Sequence, residues 1–159
     1  MNTPPGTPEA RGRNITNIHN LKNVLRGLNT KWVLSGSQAM KLHANRFGVH
    51  SRTPHNFDIV VNRNNVRNFL HAFAAAGYKP NVPVMTRTTN KVTVKRGNSS
   101  VNVLVAGALG PKITNESTMK INNIPVFRIE HLISQKKKSN LTPKNIANIR
   151  FLKSILNKY

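Results

Sequence analysis

The apolar residues change their spacing several times along the chain, and each change marks an element. Ile15, Ile18, Leu21, Val24, Leu25 and Leu28 recur three or four apart, which predicts an amphipathic helix over 15–28. "KWVLSG" then gives a short apolar strand, Trp32–Leu34, stopped by Ser-Gly. "GSQAMKLHANRFG" returns to helical spacing, with Ala39, Met40 and Leu42 inward. A loop rich in Ser, Thr, Pro and His leads to the strand "FDIVV". In "NRNNVRNFLHAFAAAGY", Val66, Phe69, Leu70 and Phe73 line one side of a helix that Gly77 ends. Three β-type runs follow over 82–105, "VPVMTR", "KVTVKR" and "SVNVLVAG", parted by turn signals. "MKINNIPVFRI" reads as two extended pieces around Asn122-Asn123, and "EHLISQKKK" as a short helix. The last helix has Thr142 as N-cap, Pro143 in its first turn, and Ile146, Ile149, Leu152, Ile155 and Leu156 as its apolar face. The order of elements predicts an α+β fold, a small mixed β-sheet packed by helices. Residues 1–13, with three prolines and almost nothing apolar, read as a disordered basic tail before one domain over 14–159.

Composition narrows what such a domain does. Its 159 residues suffice for one core, and at 38% hydrophobic and 6% aromatic that core is lean. There is no cysteine, so no disulfide framework and no Cys-based zinc site. The N-terminus lacks the apolar segment of a secretory signal, and no apolar run spans a bilayer; the expectation is an intracellular protein that is not secreted.

Charge is the dominant fact. Lys and Arg number 25 against four acids, Glu9, Asp58, Glu116 and Glu130, for a net +21. Such a surface repels itself unless a polyanion neutralises it, and the ordinary polyanion is nucleic acid, held through its phosphates. An anionic membrane would need a basic helix with large apolar residues opposite, which is missing. The cations offered as phosphate contacts are Lys41, Arg46, Arg52, Arg63, Arg67, Lys136, Lys137 and Lys138; Arg63 and Arg67, with His71, share one helix face. With so few aromatics, a stacking platform for single-stranded bases is poorly supported, and duplex or nonspecific backbone binding is favoured.

The stretch from Val33 to Val61, "VLSGSQAMKLHANRFGVHSRTPHNFDIVV", resembles the signature of the nucleotidyltransferase fold, a Gly-Ser turn, a helix, then an Asp-x-Asp strand. It is most similar to the minimal, toxin–antitoxin-type group, whose C-terminal helices "IPVFRIEHLISQKKKSN" and "PKNIANIRFLKSIL" also resemble, so the likeness covers 15–157. The resemblance implies a triphosphate cradle at Gly36 and Ser37, where backbone N–H groups open a helix. It also implies three carboxylates holding Mg²⁺. Two residues apart on a strand point the same way, which is the logic of Asp-x-Asp. Carried across, the first carboxylate falls on Asn56, the second on Asp58, and the third on Asn102 in "VNVLV". Acids usual in the last helix of that group fall on Asn145 and Asn148, and its helix-end lysine on one of Lys136–Lys138.

An amide keeps the shape of Asp without its charge, and Mg²⁺ dehydrates only for anionic ligands. No metal site and no cofactor are therefore expected. The function expected is a catalytically degenerate nucleotidyltransferase-fold protein binding DNA or RNA nonspecifically. Packaging or coating a viral genome, with a place in the virion, is a setting it would suit. The same substitutions also follow from a general drift toward Asn, of which the chain has 23. Two alternatives stand beside this reading: an active Mg²⁺-dependent enzyme transferring NMP to RNA or protein, and an assembly protein docking an acidic partner. Asp58 reads more simply as a structural carboxylate paired with a cation such as Arg52. His43, His50 and His55 read as residues of a wet loop, Ser37 as a helix cap, and Trp32 as core.

Overall fold

The computed structural model describes residues 14–49, 56–82, 86, 88–138 and 141–159. The tail over 1–13, Arg52, His50 and His55 lie outside them. Asn17 opens helix α1 (Ile18–Val24) by accepting a hydrogen bond from the Asn20 amide at 2.9 Å. This helix is shorter than the 15–28 periodicity suggests. Ile15 is held instead by tertiary bonds: its N–H donates to the Tyr78 hydroxyl at 2.6 Å, and its carbonyl accepts from Ser99 Oγ at 2.9 Å. At the other end, Gly27 turns the chain with φ +90°.

Strand β1 (Trp32–Ser35) runs directly into helix α2 (Gly36–Arg46). Strand β2 (Asn56–Val61) leads through a 3₁₀ turn (Arg63–Asn65) into helix α3 (Val66–Ala75). Gly77, at φ +89°, ends that segment as expected. Then come β3 (Lys79–Pro80), β4 (Lys91–Arg96) and β5 (Ser99–Val105). Of the run expected over 82–87, residues 83–85 and 87 are outside the described set. A hairpin, β6 (Thr118–Ile121) and β7 (Ile124–Phe127), closes on Asn122 and Asn123, at φ 50° and 65°. Two left-handed residues make the tight turn whose twist suits a hairpin, and Asn tolerates that conformation. Helices α4 (Ile129–Lys138) and α5 (Pro143–Leu156) complete the order. The Thr142 hydroxyl caps α5 by accepting from the Asn145 amide, and Pro143 sits in the first turn. No helix among the described residues is long and apolar enough to cross a membrane.

The seven strands form one mixed sheet, ordered β3-β4-β5-β2-β1-β7-β6. β2 is parallel to β5 and antiparallel to β1, while β1 is parallel to β7. The α+β expectation holds. Alternation divides each strand between two faces. On one face, Phe57, Ile59, Val92, Val94, Val101 and Val103 are all buried. Tyr78 ties the helices to that side: its ring meets Phe73 of α3 edge-on, and its hydroxyl bonds Ser99 of β5 at 2.6 Å. The other face carries Asn56, Asp58, Thr93, Ser100 and Asn102 in register. Only part of α5's expected apolar stripe is used: Ile149, Leu152 and Ile155 are buried, but Ile146 is 40% exposed.

Candidate functional site

The polar face is organised by pairing register. Ser35, Asp58, Asn102 and Thr93 are successive partners across β1, β2, β5 and β4, so their side chains share one row. Asn56 pairs with Ser100 in the next row. Asn56, Asp58 and Asn102, singled out from the sequence, therefore converge on this face.

Their hydrogen bonds set what they offer. Asn102 Nδ2 donates to Asp58 Oδ1 at 2.7 Å, and Asn102 Oδ1 accepts from Thr93 Oγ1 at 2.7 Å. A carboxylate only accepts, so the amide must turn its nitrogen toward Asp58. Asn56 Oδ1 likewise accepts from Ser100 Oγ at 2.8 Å. Thr93 and Ser100 are missed by sequence reasoning, although the β4–β5 alternation opposite Asn102 could have pointed to Thr93.

Gly36 begins α2 against this row with φ +63°. A Cβ there would overlap Asp58 Oδ2 and lie 3.0 Å from its Cγ. Glycine is thus required twice, by backbone conformation and by close approach to the carboxylate. Ser37 is exposed in the first turn and is not the cap. That position belongs to Ser35, which is buried and donates from Oγ to Gln135 Oε1 at 3.1 Å. Gln135 Nε2 in turn donates to the Leu109 carbonyl at 2.7 Å, linking the row to the loop after β5. Nothing in the sequence signals Gln135. That loop and α4 enclose a cleft of about 540 Å³ lined by Gly107, Leu109, Lys112, His131, Gln135 and Lys138 among others.

Lys136 is half-buried on α4 beside Asp58. Burial pushes its ammonium below the ordinary lysine value; the Asp58 charge opposes that and Lys144 reinforces it. The remaining candidate cations scatter. Lys137 and Lys138 are exposed at the end of α4, and Lys41 is half-buried on α2. Arg46 places its guanidinium 5.2 Å from the centre of the Tyr159 ring. Arg63 donates to the Thr89 carbonyl at 2.8 Å and to Asn90 Oδ1 at 2.6 Å, so it braces the approach to β4. Arg67 and His71 are exposed on α3, behind the apolar face of the sheet. Asn145 and Asn148 are half-buried on α5.

His43 is not in a wet loop. It is fully buried on α2, where Nε2–H donates to the Phe127 carbonyl at 2.8 Å and Nδ1 accepts from the Tyr159 hydroxyl. Burial holds its pKa below the ordinary histidine value, partly offset by the Phe127 bond. No three His, Cys, Asp or Glu residues cluster as a metal site among the described residues. Trp32 is half-buried at the rim of the core.

The row does not fit Mg²⁺ as a donor set. It holds one anionic residue, one of whose oxygens already accepts from an amide. Turning Asn102 to present its oxygen would break a charge-assisted hydrogen bond, a cost of about 1.5–3 kcal/mol. It would still leave one negative charge beside Lys136, and Mg²⁺ demands near-ideal octahedral oxygen geometry.

A Gly turn entering a helix against a strand carboxylate, within this strand order, defines a nucleotidyltransferase fold. Solved structures agree. The lincosamide antibiotic adenylyltransferase LnuA, lincomycin-bound, matches with TM-score 0.67 at 16% identity, over 90% of this chain and 99% of that one. ANT(2'')-Ia in complex with adenylyl-2''-tobramycin matches with TM-score 0.64 at 14% identity, over 94% and 90%. A candidate nucleotidyltransferase from Thermotoga maritima matches with TM-score 0.55 at 15% identity, over 89% and 91%. No family model and no curated protein sequence matches the chain.

Proposed function

We propose that this chain is a non-catalytic nucleotidyltransferase-fold protein that binds nucleic acid through its phosphates. The observation that carries the reading is the Thr93–Asn102–Asp58 chain of hydrogen bonds. It turns an amide N–H, rather than a second carboxylate, toward the sole acid of the row. Losing carboxylates from a phosphate-facing surface removes repulsion against a polyanion, and a net +21 supplies the attraction. Genome coating or packaging is a role such a binder suits.

The second reading is an active enzyme. It is favoured by the Gly36 turn and by Lys136, which keep the setting of a triphosphate cradle around Asp58. One experiment separates the two. The chain is incubated with labelled NTPs, RNA or protein acceptors and Mg²⁺ or Mn²⁺, and oligonucleotide affinity is measured in parallel at low and high salt. The proposal expects no incorporation and an affinity that falls steeply with salt. Incorporation abolished by Asp58→Ala, or tight binding indifferent to salt, overturns it.

A further inference from the structure

The polar face continues beyond the row that holds Asp58. Lys79 of β3 pairs with Lys95 of β4, Lys95 with Ser100 of β5, and Ser100 with Asn56 of β2. Paired residues share a face, so these four form a second row beside Ser35–Asp58–Asn102–Thr93. Lys91 opens a third, where Leu104 and Val60 follow it. Gly110 closes this third row from above: a Cβ there would overlap the Val60 side chain. At the opposite, β3–β4 end, Lys79, Lys91 and Lys95 are all exposed, as is Asn56 on β2.

The chemistry of this face is uneven. Its middle is short, neutral and already hydrogen-bonded: Asn56 with Ser100, and Asn102 with Thr93. Its outer rim carries the lysines. Its inner end has the only carboxylate this face carries among the described residues, Asp58, with Lys136 next to it. Exposed lysines on an edge strand also serve to block edge-to-edge pairing. That explains Lys79, but Lys95 lies on β4, between β3 and β5, where no edge needs protection.

We propose that the lysine-bearing face of β3, β4, β5 and β2 is a track for a single strand of nucleic acid. Its phosphates meet Lys79, Lys95 and Lys91 at the rim and Lys136 at the inner end. This rests on the nucleic-acid reading above and assigns it a surface. Four strands spaced by about 4.8 Å make a row of about 14 Å. A strand carries a phosphate about every 3.4 Å when stacked and less often when extended, so about two to four phosphates span it. The central side chains are too short to reach a ligand that rides on the lysine tips. Lys79 and Lys95 stand on adjacent strands about 4.8 Å apart, close enough to follow one phosphate backbone. The stripe of Arg67 and His71 lies behind the other face and takes no part.

The test compares three full-length proteins by fluorescence anisotropy of a labelled single-stranded oligonucleotide across a salt series. They are the wild type, the Lys79→Gln/Lys95→Gln variant, and a charge-matched Lys120→Gln/Lys158→Gln variant. Lys120 is exposed on β6 at the far edge of the sheet and Lys158 after α5. Each lost phosphate contact lowers the slope of log K against log salt by about 0.7, so the first variant loses about 1.4. At about 0.1 M salt that is about a 25-fold weaker affinity. The charge-matched variant keeps the wild-type slope. All four lysines are exposed, so melting temperatures stay together and a folding defect cannot imitate the result. Equal slopes for the wild type and the Lys79/Lys95 variant, or equal losses in both variants, overturn the track and leave the binding itself standing. A duplex of the same sequence held more tightly than the single strand, with the same Lys79/Lys95 dependence, overturns the single-strand assignment. No binding by the wild type overturns the nucleic-acid reading and the track together.

Discussion

Asn102→Asp puts the physics of the polar row to a direct test. In the wild type, Asn102 Nδ2 donates to Asp58 Oδ1 at 2.7 Å. The substitution changes shape little but replaces that donor with a second carboxylate. The charge-assisted hydrogen bond is lost, about 1.5–3 kcal/mol. Two carboxylates about 4 Å apart between charge centres repel by about 4 kcal/mol at an effective dielectric constant near 20. The total is capped, because one of them can take up a proton. Protonating an acid of ordinary pKa near 4 at pH 7 costs about 4 kcal/mol, and the resulting O–H restores part of the lost bond. The net expectation is a loss of about 4–5 kcal/mol at pH 7, or about 10–15 °C in melting temperature for a chain of this size.

The pH dependence has a definite sign. The shared proton binds the folded variant more tightly than the unfolded one, so the deficit shrinks as pH falls toward about 5. A divalent cation should relieve the same repulsion. Mn²⁺ or Mg²⁺ at about a hundred times its Kd would return about 2.7 kcal/mol, whereas the wild type should not respond. Differential scanning fluorimetry over pH and metal concentration reads all three effects. A variant that melts with the wild type at pH 7, or a wild type that gains as much from Mg²⁺, would refute the account of a neutralised row.

Gly36→Ala meets two obstacles at once, the positive φ and the Asp58 carboxyl. A loss of about 2 kcal/mol or more is expected, of which Asp58→Ala in the same chain should recover the steric share but not the roughly 1 kcal/mol of backbone strain; additive losses in a urea double-mutant cycle would count against the contact. Lys136→Met should separate stability from binding. Its lowered folded pKa means the ammonium is disfavoured by folding at every pH below its ordinary value, and the full linkage benefit returns only above about 10.5. At neutral pH the variant should therefore melt no lower than the wild type while binding oligonucleotide more weakly; a clear drop in melting temperature would show that the Asp58 attraction outweighs burial. For His43 the folded pKa is also lowered, so stability is complete above about 6.5 and declines as pH falls through the folded value. Urea midpoints should fall as pH drops below about 6.5 in the wild type and stay flatter in His43→Gln, and equal slopes would exclude His43 as the source.

Local signals are legible where they are complete in themselves. The Thr142–Pro143 helix start, the Gly77 stop and the Asn122-Asn123 turn depend on residues a few positions apart, and each stands as expected. The helix over 15–28 did not survive at full length, because Tyr78 and Ser99, far along the chain, bind Ile15 and pull it out of the helical path. The burial of His43 escapes local pattern for a related reason. A polar residue among apolar ones carries no mark of the carbonyl and hydroxyl that satisfy it, and Phe127 and Tyr159 come from other elements.

The chain by itself determined the α+β order, the net charge and the positions of Asn56, Asp58 and Asn102. Alternation within β2 already placed the first two on one side. Only the tertiary structure decided what those residues do. Parallel pairing of β2 with β5 sets Asp58 opposite Asn102, and the antiparallel β4 sets Thr93 behind it. Once the carboxylate is next to the amide, its lack of a donor forces the amide nitrogen inward, and no sequence pattern contains that orientation. The lysines divide in the same way. Their number is a property of composition, whereas strand register sets Lys79 and Lys95 in line with Asn56 and leaves Arg67 on the far side of the sheet.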